Sequence, residues 1–112
     1  MKPRPIPAGY EGATPYLCCS SAAAAIAFYQ KAFDATELYR ISMPGGGVGH
    51  AEIKIGGAII MLADEFPGCG AASPPTLGGT TGSTLIYVED IDGFAARAIA
   101  AGAKVLEPVR DQ

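Results

Sequence analysis

The sequence is poor in the features that mark several large classes of protein. No apolar run approaches the roughly 18 residues that a membrane-spanning helix needs. Lysine and arginine together number only 8, and they are scattered, so no basic stripe is present to contact a nucleic-acid backbone. We therefore expect neither a membrane nor a nucleic acid as a partner.

Cysteine is also scarce, with 3 residues in the chain, at positions 18, 19 and 69. An odd number with an adjacent pair does not suit a disulfide framework, and neighbours on a strand point to opposite faces. This usage favours a reduced, cytoplasmic protein in which Cys19 is a buried structural thiol. Cys69 lies among glycine and proline residues, where an exposed thiol fits.

One pattern is present twice along a chain that has the length of a single domain, 112 residues. Residues 14–38 and 83–106 each suggest a strand, an alanine-rich helix and a strand, and two further strands follow only the first copy. A repeat unit that cannot bury its apolar face alone needs its partner. We therefore predict a single domain with an N-terminal arm at 1–12, a first βαβββ module at 13–63, a linker at 64–82 and a partial second module at 83–112.

Hydrophobic periodicity predicts the elements of both copies. The first copy has a helix at 22–33 and strands at 13–19, 37–42, 49–55 and 58–63. The second copy has a helix at 91–101 and strands at 83–88 and 104–109. The connection at 64–82 is rich in glycine, proline, serine and threonine, and we expect a linker without regular structure.

The predicted third strand has one aliphatic and one polar face. Ala51, Ile53 and Ile55 lie on the first, and His50 and Glu52 lie on the second. Two sheets of this kind joined at their edges would form a trough lined by their mixed faces. Concave surfaces that combine apolar side chains with a few polar groups bind small ligands.

Six short segments and the element order resemble the vicinal oxygen chelate superfamily, which includes glyoxalase I, bleomycin-resistance proteins and extradiol dioxygenases. Within it, the resemblance is to the PhnB-like subgroup. The segments are TPYL (14–17), AIAFYQKAF (25–33), HAEI (50–53), MLADEFP (61–67), LGG (77–79) and YVEDID (87–92).

The resemblance implies an α+β fold in which two βαβββ modules form a curved mixed sheet, the glyoxalase/bleomycin-resistance fold. Members of the subgroup continue past the position of Gln112, so we expect the second module to be incomplete, as in a C-terminally truncated member. Unpaired strand edges are normally covered in proteins. We therefore expect a homodimer, with strand exchange as one form of it.

In metal-dependent members of the superfamily, four side chains bind one divalent ion, and the resemblance carries three of these positions onto Thr14, Met61 and Ser83. The fourth lies beyond Gln112. Hydroxyls and a thioether are poor ligands for a hard or borderline cation. We therefore expect no cofactor and no metal at the usual site, with a divalent metal as the alternative that the resemblance implies.

His50 is the only histidine in the chain, and Glu52 lies two residues along the same predicted face. The pair predicts an acid/base site facing the trough; the alternative is a polar strand face that meets solvent or a dimer partner. Side chains on the same side supply the expected ligand contacts, with core or interface packing as the alternative. They are Tyr16, Met61, Leu85 and Tyr87.

Two functions from different classes fit this pattern. The first is a protein that binds a small organic molecule without chemistry, as bleomycin-resistance relatives do by sequestration. The second is a glyoxalase- or dioxygenase-type enzyme, a lyase or an oxidoreductase, that uses His50 and Glu52 in a relocated or metal-free site. A scaffold that folds and dimerises without a small ligand is a third option.

Overall fold

A computed structural model of the chain describes residues 5–66, 68 and 70–110. Its fold is mixed α+β, as predicted, and the first copy forms a βαβββ unit. The elements in chain order are β1 (Tyr16–Cys19), α1 (Ala22–Phe33), β2 (Thr36–Ser42), β3 (Val48–Ile55), β4 (Ala58–Asp64), α2 (Pro74–Leu77) and α3 (Ile91–Ala100). Within these residues, none of the helices has both the length and the apolar character needed to cross a membrane.

The four strands pair in the order β1-β4-β3-β2, with β1 parallel to β4 and the other pairs antiparallel. Helix α1 packs on the aliphatic face of this sheet. Ile26 of α1, Ile53 of β3 and Leu62 of β4 are fully buried there. Burying a side chain of this size contributes roughly 1.5–3 kcal/mol, so this layer is the core of the molecule.

The two ends of α1 follow the expected chemistry of helix caps. At the start, the Ser21 hydroxyl accepts a hydrogen bond from the Ala24 amide at 3.2 Å. At the end, Asp34 takes a left-handed conformation with φ of 57°. The helix matches its predicted bounds of 22–33.

Asp64, at the end of β4, ties the helix to the sheet. One carboxylate oxygen accepts a hydrogen bond from the Ala22 amide at 2.5 Å, and the other accepts one from the Val48 amide at 2.8 Å. The N-terminal amides of a helix have no partner within the helix, and an anion near them is favourable. The acidic end of this strand is therefore structural.

The connection after β4 was predicted to have no regular structure. This prediction is wrong in part, because the connection holds the short helix α2. The buried Ser73 begins this helix, and its amide donates to Glu65 at 2.7 Å. The Thr76 hydroxyl donates to the other oxygen of Glu65 at 2.6 Å. These bonds fix α2 beside the end of β4, and composition alone does not reveal them. Cys69, expected as an exposed thiol, lies outside the described residues.

The second copy supplies a helix but no strand. The prediction of α3 is confirmed to within one residue at its end, with Asp90 as the cap that accepts from the Gly93 amide at 3.0 Å. The predictions of strands at 83–88 and 104–109 are wrong: in the described residues neither segment enters a sheet. A strand requires a hydrogen-bonded neighbour, and among the residues that the structure describes β1–β4 pair only with one another. The second wall predicted for the trough is therefore not a sheet in this structure.

Helix α3 docks on α1 instead. The rings of Phe94 and Phe33 stack with centroids 5.3 Å apart and planes 3° apart. The Arg97 guanidinium donates to the backbone carbonyls of Lys31 at 2.6 Å and Gln30 at 3.2 Å. A cation at the carbonyl end of a helix is favourable, so these contacts hold the two copies together on the helix side.

Candidate functional site

The sheet face opposite α1 carries one row of large side chains across all four strands. Tyr16 of β1 is in register with Met61 of β4, Met61 with Glu52 of β3, and Glu52 with Tyr39 of β2. Because residues in register share a face, these four side chains lie side by side. His50 joins them from the next position of that face on β3.

Glu52 is the centre of the row. The Tyr39 hydroxyl donates to its Oε2 at 2.6 Å, and Nε2 of His50 lies 2.9 Å from the same oxygen. The Tyr10 hydroxyl, from the segment before β1, donates to Oε1. Glu52 is only 3% exposed, so these donors replace the water that the carboxylate gives up on burial.

His50 connects Glu52 to Tyr16, whose hydroxyl lies 2.8 Å from Nδ1 of the ring. An ionised carboxylate only accepts hydrogen bonds. Nε2 therefore donates to Glu52, and in the neutral imidazole Nδ1 accepts the proton of Tyr16. The result is a hydroxyl–imidazole–carboxylate chain whose outer member, Tyr16, is 55% exposed. We call Tyr10, Tyr16, Tyr39, His50 and Glu52 the sheet-face cluster.

The hydrogen bonds of the cluster shift the pKa values of its members in opposite directions. Burial by itself raises the pKa of Glu52, but the hydrogen bonds from His50 and from the two phenols outweigh burial, and the pKa lies below its usual value. The hydrogen bond to Glu52, followed by burial, raises the pKa of Tyr39 to about 12. The same two causes raise the pKa of Tyr10. Glu52 thus stays an anion and the two phenols stay protonated at neutral pH.

The structure brings together four of the six residues that the sequence suggested for a site. They are Tyr16, His50, Glu52 and Met61. The other two, Leu85 and Tyr87, lie in the irregular segment before α3, where they are 78% and 91% exposed. Their placement on the trough depended on a strand at 83–88 that does not form.

Sequence reasoning missed Tyr10 and Tyr39. A signal for Tyr39 was present, because β2 and β3 form a hairpin around the glycine-rich turn at 44–47. Counting outward from the centre of that turn sets Tyr39 opposite Glu52, which is the observed pairing. Tyr10 had no such signal, since it is 42 residues from Glu52 and lies outside the repeat.

The donors at the usual metal positions do not fit a divalent cation. Thr14 and Met61 offer a hydroxyl and a thioether, and Ser83 lies in the irregular, exposed segment before α3. Over 5–66, 68 and 70–110, no three His, Cys, Asp or Glu side chains converge as a metal site requires. His50 and Glu52 supply two donors that already bind each other, so we assign no step to a metal.

The cluster can bind and can move protons. A buried anion that accepts from several donors selects for ligands with a hydroxyl or amine, and the exposed Tyr16 and Tyr39 rings offer aromatic surface. An imidazole held between a hydroxyl and a carboxylate is also the arrangement that activates a hydroxyl as a general acid or base. Both capacities lie on one open face of the sheet.

Comparison with known proteins identifies relatives of this chain. A family model, described as the Glyoxalase/Bleomycin resistance protein/Dioxygenase superfamily, matches residues 13–112. An uncharacterized protein of Mycobacterium bovis is 44% identical over 102 residues, which are 88% of this chain and 67% of that protein. An uncharacterized protein of Mycobacterium tuberculosis shows the same identity over 102 residues, which are 60% of its length. The chain thus spans between 60% and 67% of these curated relatives.

Several solved structures have the same fold at low sequence identity. A gene product of Arabidopsis thaliana superimposes with a TM-score of 0.72 at 22% identity, covering 89% of this chain and 80% of that one. TioX from Micromonospora gives a TM-score of 0.68 at 24% identity, covering 91% and 79%. The fosfomycin resistance protein FosX of Listeria monocytogenes gives 0.61 at 20% identity, covering 84% and 72%. Identities this low support a shared fold and nothing further.

Proposed function

The chain belongs to the glyoxalase/bleomycin resistance protein/dioxygenase superfamily, and from that membership we propose that it is a small-molecule-binding protein of the PhnB-like subgroup. Its ligand lies on the open sheet face against Tyr16, Met61 and the sheet-face cluster. The protein holds this ligand without a metal and without chemistry.

One observation carries this proposal: a single row of side chains spans four strands and centres on a buried, hydrogen-bonded carboxylate. Burying an ionised carboxylate costs free energy unless hydrogen-bond donors are already in place around it. Glu52 is 3% exposed, and its lowered pKa reflects such donors. Prearranged polar groups among aromatic side chains are typical of binding sites for small organic molecules.

A thermal-shift screen tests the proposal. The purified chain is heated with fosfomycin, bleomycin and a panel of aromatic and polar metabolites. At a ligand concentration 100 times Kd, binding stabilises the folded state by about 2.7 kcal/mol, which raises Tm by about 10 °C in a domain of this size. Glu52→Gln should abolish the shift of any true ligand. Tyr29→Phe, on the helix side of the sheet, is the matched control and should keep it. If no compound of the panel raises the Tm of the unmodified chain or of Tyr29→Phe, the result would count against the binding function.

The hydroxyl–imidazole–carboxylate chain favours a second function, a metal-free lyase or oxidoreductase of glyoxalase or dioxygenase type. In it His50 takes the proton of Tyr16 or of the substrate, and Glu52 stabilises the imidazolium. Turnover of a ligand found in the screen, lost in His50→Gln with binding retained, would support this function over simple binding.

The same proposal includes a homodimer in a reducing, cytoplasmic setting. Strands β1 and β2 are the open edges of the sheet, and apolar side chains on α3 and after it are at least half exposed: Ile99, Val105 and Leu106. A second copy would cover such surface. Light scattering after gel filtration should give twice the chain mass of 11.4 kDa. A stable monomer at high micromolar concentration would exclude the dimer.

A further inference from the structure

The two carboxylate oxygens of Glu52 are satisfied by different parts of the chain. Oε2 is bound by Tyr39 and His50, which both belong to the sheet. Oε1 is bound by Tyr10, which precedes β1. One oxygen therefore has fixed partners, and the other depends on a segment outside the sheet.

That segment, residues 5–12, is weakly attached. In the part of the chain that the structure describes, the Tyr10–Glu52 bond is the one hydrogen bond that joins it to the sheet. Its other hydrogen bonds are internal: Tyr10 donates its amide to Pro7 at 3.1 Å, and Gly9 donates to Glu11. The segment has no helix or strand of its own. We call residues 5–12 the strap.

The strap passes against the same face of the sheet as the site. A methyl group on Gly9 would lie 3.7 Å from Cδ1 of Ile59, in ordinary van der Waals contact. Ile59 is two residues from Met61 on β4, so both side chains lie on the face of the cluster. The strap therefore runs beside the row and brings a phenol onto it.

We propose that Tyr10 is a built-in competitor for the ligand site, and that the natural ligand is a small phenol that displaces the strap and donates its hydroxyl to Oε1 of Glu52. The inference rests on the binding function proposed above and names its ligand class. The tyrosine side chain is itself a substituted phenol, so the space that Tyr10 leaves has the size and polarity of one.

Two features of the site favour a neutral aromatic donor over other ligands. The ring of His50 lies 5.5 Å from that of Tyr16 and 5.8 Å from that of Tyr39, so three aromatic rings form one surface beside the Glu52 carboxylate. Ring pairs at such separations attract one another. The anionic carboxylate repels acidic ligands and requires a donor, which a phenol supplies and an aromatic hydrocarbon does not.

A competitor within the chain lowers the apparent affinity by the fraction of molecules whose site is open. A hydrogen bond to a charged group is the tether here, and its loss should raise that fraction on the order of tenfold. Tyr10→Phe keeps the ring of the strap and removes only the hydroxyl. It should therefore bind a phenol about tenfold more tightly than the unmodified chain.

The test uses 4-methylphenol as the ligand and toluene as its counterpart without a hydroxyl, with binding followed by NMR titration. Tyr10→Phe should gain affinity for 4-methylphenol about tenfold, and toluene, which has no donor for Glu52, should bind neither protein measurably. Tyr29→Phe should behave as the unmodified chain, and Glu52→Gln should lose binding. Equal or weaker binding of 4-methylphenol by Tyr10→Phe than by the unmodified chain, or binding of toluene as tight as that of 4-methylphenol, would overturn the proposal.

Hydrogen exchange in the unmodified chain gives a second measurement that needs no variant. Saturating 4-methylphenol should speed exchange of the strap amides, because the ligand replaces the hydrogen bond from Tyr10 to Glu52. Unchanged or slower exchange would contradict displacement. If 4-methylphenol binds none of these proteins, the phenol assignment fails, whereas the binding function fails only when the whole metabolite and antibiotic panel gives no shift.

Discussion

Replacing Glu52 by glutamine should lower the pKa of Tyr39 by a measurable amount. The hydrogen bond to Glu52 is the largest cause that raises this pKa from 10.0 to about 12, with burial second and the charge of Glu52 third. Glutamine has nearly the same shape and no charge, so the burial contribution remains, the contribution of the negative charge disappears, and any hydrogen bond is to a neutral amide oxygen and is weaker. The ionisation midpoint of Tyr39 should then lie closer to 10 than to 12, which is a change of more than about tenfold but less than a hundredfold in its acidity.

Absorbance at 295 nm during alkaline titration measures this change directly. The chain has 5 tyrosines and no tryptophan, so tyrosinate absorbance is free of an indole background. Tyr39→Phe identifies the step that belongs to Tyr39, since it should remove the component near pH 12. Far-UV circular dichroism at each pH confirms that the fold persists through the titration.

The sign of the linked stability effect follows from the raised pKa. Tyr39 keeps its proton in the folded chain to about pH 12 but loses it near 10 when unfolded. Its contribution to stability is therefore fully present below pH 10 and is lost as the pH rises from 10 to 12. Glu52→Gln should flatten this decline. A highest component that stays near pH 12 in Glu52→Gln, or survives in Tyr39→Phe, would refute the assignment of Tyr39 to the carboxylate.

Three further changes test the acid side, the helix anchor and the core. The pKa of Glu52 is lowered below 4.5, so its contribution to stability is present above pH 4.5 and is lost as the pH falls through the lowered value. Urea unfolding across pH 3–6 should therefore show a weaker dependence of the unfolding free energy on pH in Glu52→Gln, and the same dependence in both proteins would oppose this. Asp64→Ala should lower the free energy of unfolding by about 2–4 kcal/mol, because two backbone amides lose a charged acceptor. Asp64→Asn keeps one acceptor oxygen and should lower it less. A loss below about 0.5 kcal/mol in Asp64→Ala would mean that water replaces the carboxylate. Ile53→Ala should cost about 2–5 kcal/mol and Ile53→Val about 0.5–1.5 kcal/mol, because this side chain is 0% exposed; similar costs for both would indicate that the site collapses around the smaller residue.

The first copy of the repeat was predictable because its signals are local. Apolar spacing along 22–33 predicts α1, and it forms with those bounds. Strand alternation on β3 separates the core side chains from His50 and Glu52, and the structure keeps them on opposite faces. Each pattern repeats within a few residues, so neighbouring positions are enough to detect it.

The second copy shows where local pattern fails. Residues 83–88 alternate as a strand does, yet the segment is irregular in the structure, and only Ile86 packs partly against the core. Alternation of apolar and polar residues indicates that a segment is able to join a sheet. The pattern does not indicate whether a partner strand is present, and strand formation depends on that partner.

By itself, the sequence determined the fold class, the helix and strands of the first module, and the pair of His50 with Glu52, because these follow from spacing along the chain. Only the tertiary structure decided that Tyr10 and Tyr39, from separate segments, join this pair. It also decided that Asp64 and Glu65 are anchors within the fold. The physical reason is that a buried carboxylate selects its donors by distance in space, and the chain brings Tyr10 and Glu52 together only once the sheet has formed.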